Sequence, residues 1–363
     1  MKRNRILLFV AAGTVLLVSG SAQAQFSPNV LPFAPPSVST VPSTGDTNPY
    51  GVAYVPASVP ADGLLQPGDI LVANFNGPSG IQGTGTTIVR VSATGQTSLF
   101  FQSLTGKGLT GALGILSNGI VIVGNLPTTD GTVKTAVPGA LTFIDRFGGL
   151  LGVIEGDGIH GPWGMAVADP GAGIATVFVS QVLTGYIGRY TISYDKTGFF
   201  VHVDAVALVG SGFAHQPNAG AVVLGPSGLA YDAIQDILYV ASSNDNAVYS
   251  IANAASRTTA GTGTVIYNDA THLHGPLDLA WTPTGHLLVA NSDGSNADPA
   301  QPSELVEFTV GGAFVSQFSV DPNLGGAFGL ATFPISTGAL NVLRVAAVDD
   351  NANTLDLWTS IVQ

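Results

Sequence analysis

The chain has 363 residues, 45% of them hydrophobic, with 11 Lys and Arg against 23 Asp and Glu for a formal net charge of −12. So acidic a chain lacks the clustered basic surface that nucleic acid and anionic lipid both require, and its apolar content excludes disorder. It contains no cysteine, so stability rests on packing or bound metal rather than on disulfides.

At the N-terminus, MKRNR precedes the apolar run ILLFVAAGTVLLV and then SGSAQA. This order reads as a secretory leader (residues 1–24) cleaved after Ala24. The apolar run is about 13 residues long, against the ~20 that a spanning helix needs. The mature chain is therefore expected to begin at Gln25 and to be exported, periplasmic or extracellular, with no membrane span. No Cys follows the run, which argues against lipid attachment. Leader removal takes away three basic residues and no acidic one, for a charge near −15. The 47 Gly and 22 Pro, with abundant Val, Ile, Thr and Phe, predict many short strands joined by tight turns.

Residues 25–46 form a Pro-rich segment whose role follows from the repeats after it. Six segments open with a short apolar strand around a central residue: PYGVAYV from Pro49, GALGIL from Gly111, PWGMAVA from Pro162, PSGLAYD from Pro226, PLDLAWT from Pro276 and AFGLATF from Ala327. The central positions are read as Gly51, Gly114, Gly164, Gly228, Asp278 and Gly329, at intervals of 63, 50, 64, 50 and 51 residues. A second strand (ILVANFN from Ile70, LYVASSN from Leu238, LLVANSD from Leu287) and a third (TIVRVS from Thr87, ELVEFT from Glu304) follow in the same grammar. A fourth completes five of the six units, and the sixth runs out of chain. A period of this length fits the blades of a β-propeller. The expected fold is all-β: a six-bladed β-propeller with four-stranded antiparallel blades over 47–363. An N-terminal strand around Ser37 to Val41 is expected to pair outside Thr354 to Ser360 and close the ring, since an unpaired edge would be exposed there.

The unit LYVASSNDNAVYSI, Leu238 to Ile251, resembles the NHL-repeat family of β-propellers. In that family a Pro-x-Gly-hydrophobic-Ala strand leads to a Tyr-Val-Ala-Asp-Ser-x-Asn turn; here Ser242 stands where Asp is common. LLVANSDGSNADPAQPSELVEF departs from the pattern by an insertion. The resemblance spans nearly all of the mature chain and speaks to architecture more than to activity.

HGP occurs twice, at His160 and His274, each time just before an opening strand. Gly-Pro is read as the turn itself, since LGPSG stands at the same place before the fourth unit. The histidines are then either loop caps or metal ligands. His160 and His274 with Asp278, and with His272 or His215 as substitutes, make up a candidate site for zinc or calcium. Glu155 is the candidate acid or base. The polar turns between second and third strands, with nearby aromatics, make the candidate binding face: Asn76, Trp163, Tyr186, Asn244, Asp245 and Asp293, with Phe75 beside them.

Three functions remain open on these residues. The preferred one is an exported binding module whose loop face takes a protein, glycan or small molecule. The resemblance to NHL-like enzymes, such as peptide-amidating lyases, and to gluconolactonase-type propellers implies instead a metal-dependent lyase or lactonase with an axial His/Asp site. Low charge with abundant Gly, Thr and Ser would suit a structural part of the cell envelope. No Gly-x-Ser-x-Gly elbow and no cysteine nucleophile is present, so the sequence leaves open whether the chain is an enzyme.

Overall fold

The computed structural model describes residues 30–362 apart from 33–34, 157 and 337–340, and holds no helix among them. The expected leader lies outside the described residues. Four sheets have four strands, one has eight, and a ribbon pairs Gln216–Asn218 with Val222–Leu224. The eight-stranded sheet is two antiparallel meanders joined by one parallel bridge, Gly111 to Gly164. The meanders open with Thr47–Tyr54, Leu109–Ile115, Pro162–Ala168, Pro226–Asp232, Pro276–Trp281 and Ala327–Ser336. These opening strands touch in a closed cycle, the last returning to the first.

Glycine makes that cycle tight. A Cβ on Gly164 would lie 2.1 Å from the Ser227 carbonyl, and one on Gly329 would lie 2.0 Å from the Tyr50 carbonyl. Backbone of the next strand occupies the space where a side chain would go. By the same contact the second unit's central residue is Gly111, whose Cβ would meet the Trp163 carbonyl at 2.7 Å, and not Gly114, which packs against Met165 and Val167. The three-residue displacement arises because both glycines lie on one short strand and only the chain that crosses it distinguishes them.

Second strands such as Ile70–Asn76, Val121–Asn125 and His286–Asn291 are buried throughout, which explains their unbroken apolar runs. Outermost strands such as Leu150–Ile154 and Phe314–Ser319 contain no buried residue. The apolar core lies between consecutive meanders: Leu71 and Ile88 of the first share a cluster with Leu113 and Val121 of the second. Val72 and Val91 likewise share one with Ala346, Val348 and Leu355 of the last.

The last meander takes its outermost strand from Ser37–Ser39, antiparallel to Thr354–Val362 with Ser37 opposite Asp356 and Ser39 opposite Thr354. Pro35, Pro36 and Pro42 flank this strand rather than interrupt it, as an edge position allows. Upstream, Val30 is buried: its N–H donates to Glu307 Oε2 at 3.0 Å, and its carbonyl accepts from Trp358 Nε1 at 2.8 Å and Ser360 Oγ at 2.7 Å.

Candidate functional site

The connections into five of the six meanders are built the same way. The carbonyls of Gly108, Gly161, Gly225, Gly275 and Gly326 accept from the N–H groups of Leu126, Val182, Ser243, Ser292 and Asp350, the residues just after the second strands. Gly108, Gly161 and Gly275 turn with φ of 69°, 72° and 74°, and Asn48 takes the same left-handed turn before Pro49. This explains the repeated Gly-Pro as backbone geometry. Buried amides at the ends of second strands tie down the same connections: Asn125 Nδ2 donates to the Lys107 carbonyl, Asn291 Nδ2 to the His272 carbonyl, and Gln181 Oε1 accepts from His160 N–H at 2.7 Å. Much of the polar character of these turns is thus structural.

On this shared backbone the two histidines diverge. The His160 carbonyl accepts from Leu183 N–H and the His274 carbonyl from Asp293 N–H, so Leu183 and Asp293 are equivalent. By register along the second strands, Tyr186 and Glu304 are equivalent too, each the first residue of a third strand. His160 is exposed. His274 is buried, with Nδ1 3.2 Å from Glu304 Oε2. His274, Asp293 and Glu304 form the one group of three or more His, Cys, Asp or Glu among the described residues whose ligand atoms lie within 4.8 Å of one another. Asp293 Oδ2 accepts from the N–H groups of Ser303 at 2.9 Å and Gly325 at 2.8 Å, while Asp293 Oδ1 and Glu304 Oε1 are buried without a donor. Burial pushes both carboxyls above their usual range, and His274 opposes the rise.

The other candidates have separate surroundings. His272 pairs with Asp269 and stacks on Phe314 at 3.8 Å. His215 Nδ1 lies 3.3 Å from its own neighbour's carbonyl, that of Phe213. Asp278 lines a void of about 10 Å³ in the middle of the cycle, with room for about one water. Its Oδ1 accepts from Leu279 N–H and its Oδ2 from Leu330 N–H. Burial pushes the Asp278 carboxyl up to about 7 against these two bonds. The void's other walls are glycines, Tyr50, Trp163, Leu277 and Phe328. That lining offers one carboxylate, already engaged, and does not fit an axial metal.

The aromatic part of the expected binding face is corrected. Phe75 and Trp163 are 0% and 2% exposed: with Tyr50 and Phe328 they fill the centre, ring centroids 4.7 to 5.3 Å apart. The apolar rings close the middle of the molecule, which the sequence could not distinguish from a surface cluster. Tyr186 is exposed, Asn244 and Asp245 are half-buried, and Asn76 is buried with Nδ2 donating to the Gly80 carbonyl at 3.3 Å.

Among the larger cavities open to the surface, two are lined by residues singled out above. One of about 430 Å³ is lined by Glu155 and His160 together with Asn125, Val137, Pro138 and Ile159. The other, about 340 Å³, lies over the aromatic plug, with Tyr50, Leu277 and Phe328 as apolar walls and Asn218, Asp293 and Asp350 as polar ones. Asp350 Oδ1 is buried there with no donor. Burial, reinforced by neighbouring Asp349, pushes the Asp350 carboxyl up to about 8. Glu304 was legible only as the single charged residue among the first residues of the third strands.

No family model matches the sequence, and no curated protein matches it. Among solved structures, a luciferin-regenerating enzyme superposes with a TM-score of 0.53 at 12% identity, covering 91% of this chain and 96% of its own. Regucalcin from Agrobacterium tumefaciens, a calcium-binding protein, gives 0.48 at 14% identity over 92% and 97%. A chain of a nidogen–laminin complex gives 0.44 at 12% over 77% and 97%. No helix among the described residues is long and apolar enough to cross a membrane. At 12% identity the likeness to the luciferin-regenerating enzyme speaks to architecture alone, and by that architecture the chain is a β-propeller.

Proposed function

We propose that the mature chain, residues 25–363, is an exported six-bladed β-propeller of the NHL-repeat kind, closed by its N-terminal strand, that binds a small polar ligand in the cavity over its aromatic plug. Support for six blades and for the closure comes from the cycle of opening strands and the pairing of Ser37–Ser39 with Thr354–Val362. The observation that carries the binding role is the 340 Å³ cavity itself, whose lining mixes Tyr50, Leu277 and Phe328 with Asp350, a residue whose Oδ1 is buried without a donor. Such an oxygen costs about 1–3 kcal/mol while unpaired, and a hydroxyl or ammonium donor from a ligand removes that cost. The volume lies within the range of small-molecule sites, and the mixture of apolar walls and few polar groups is their usual composition. Catalysis at an axial metal is disfavoured by the lining of the central void.

Thermal shift of the mature chain against polyols, sugars and amines tests the reading. A compound that raises Tm in the wild type and not in Asp350→Asn supports it. A panel that moves neither protein, or both equally, counts against it and in favour of a structural role.

A further inference from the structure

We infer that His274, Asp293 and Glu304 form a binding site for a first-row transition dication, zinc in preference to calcium. One ligand atom from each lies within 4.8 Å of the other two. Glu304 is 2% exposed and His274 1%, yet Glu304 Oε1 has no donor, nor has Asp293 Oδ1. Two carboxylates beside a single imidazole leave negative charge unbalanced in a poorly solvated place, and a bound cation balances it. The imidazole selects the ion: calcium takes six to eight oxygen ligands, whereas zinc takes mixed nitrogen and oxygen sets.

The third meander supplies an internal control. The same turn carries His160, but Leu183 and Tyr186 occupy the positions of Asp293 and Glu304, and His160 is exposed. The turn therefore requires neither the histidine's burial nor the acidic pair. Within the fifth meander the fold already uses Asp293 Oδ2, which holds Ser303 and Gly325, and leaves Oδ1 over. A metal at this point would join the incoming turn, the 292–303 loop and, through Gly325, the connection to the last meander.

The test uses residues 25–363 without a polyhistidine tag, stripped with chelator and titrated with Zn²⁺ alone, and with Ca²⁺ in parallel. The expected result is one zinc per chain by elemental analysis and a rise in Tm with Zn²⁺ that Ca²⁺ does not reproduce. Asp293→Asn keeps an oxygen for the two backbone donors and replaces the unpartnered one, so the fold survives. Zinc affinity in that variant, and in Glu304→Gln, should fall by at least about tenfold, since even outer-shell changes cost that much. His160→Ala should bind as the wild type does. No zinc on the wild-type chain, or unchanged affinity in both carboxamide variants, would overturn the site. Asp293 also lines the cavity over the plug, whereas Glu304 does not, and the titration contains no ligand for that cavity, so the Glu304→Gln arm keeps the outcome separate from that reading.

Discussion

Asp278 Oδ2 accepts a 2.8 Å hydrogen bond from Leu330 N–H, so a carboxylate on one opening strand closes a bulge on the next. The carboxylate that stands where the other opening strands keep glycine is thus held by backbone donors on two strands. Asp278→Ala should leave the Leu330 donor unpaired and cost about 1–3 kcal/mol. The denaturant midpoint should fall with no change in zinc content; an unchanged midpoint would show that the bond is dispensable.

The raised carboxyls fix a direction of pH dependence. Asp278 and Asp350 hold their protons up to about 7 and about 8 in the folded chain but release them near 3.8 when unfolded. The folded state then binds more protons through that window, so these groups' contribution to stability falls as pH rises from about 4 to about 8 and is flat above it. Each contributes a slope of at most about 1.4 kcal/mol per pH unit. Metal-free protein should have a higher Tm near pH 5 than near pH 8, and Asp350→Asn should reduce the difference. A Tm that rises over this range would contradict the assignment.

Close approach of the opening strands can be probed with one methyl group. A Cβ at Gly164 would lie 2.1 Å from a backbone oxygen, whereas one at Gly152, on an outermost strand, would meet nothing within 4 Å. Gly164→Ala should destabilise by roughly 1–3 kcal/mol, as overpacking does, and Gly152→Ala should be neutral or slightly stabilising. Equal effects at the two sites would show that the strands have room to part.

The N-terminal segment should act as part of the fold. Deleting all residues before Pro42 removes the strand over Thr354–Asp356 and the Val30 anchor on Glu307, Trp358 and Ser360. The exposed edge should lower Tm by roughly 5 °C or more and promote self-association on gel filtration. A monomer of unchanged Tm would show the segment to be an appendage.

Periodicity carried the sheet architecture because the meanders repeat one physical problem: a close crossing, met by glycine in all but the fifth, an apolar strand between two neighbours and a turn back. The repeated HGP was visible for the same reason, yet its chemistry was not. His160 and His274 share a backbone, and what sets their chemistry apart is Leu183 against Asp293 and Tyr186 against Glu304, residues that register and not sequence distance brings together. Asp278 was legible as an anomaly among glycines, while its Leu330 partner, 52 residues away, was not. Trp163 misled because an aromatic next to a turn can plug the ring's centre as readily as face solvent.

The cavity over the plug can be filled directly. Ala221 lines it and is half-buried, so Ala221→Trp should occupy its volume. Calorimetric titration of wild type and Ala221→Trp with the compound that most raises Tm is the decisive comparison. Binding by the wild type and none by the filled variant, with Tm retained, is the expected result; equal binding by both would place the ligand elsewhere and contradict the proposed function.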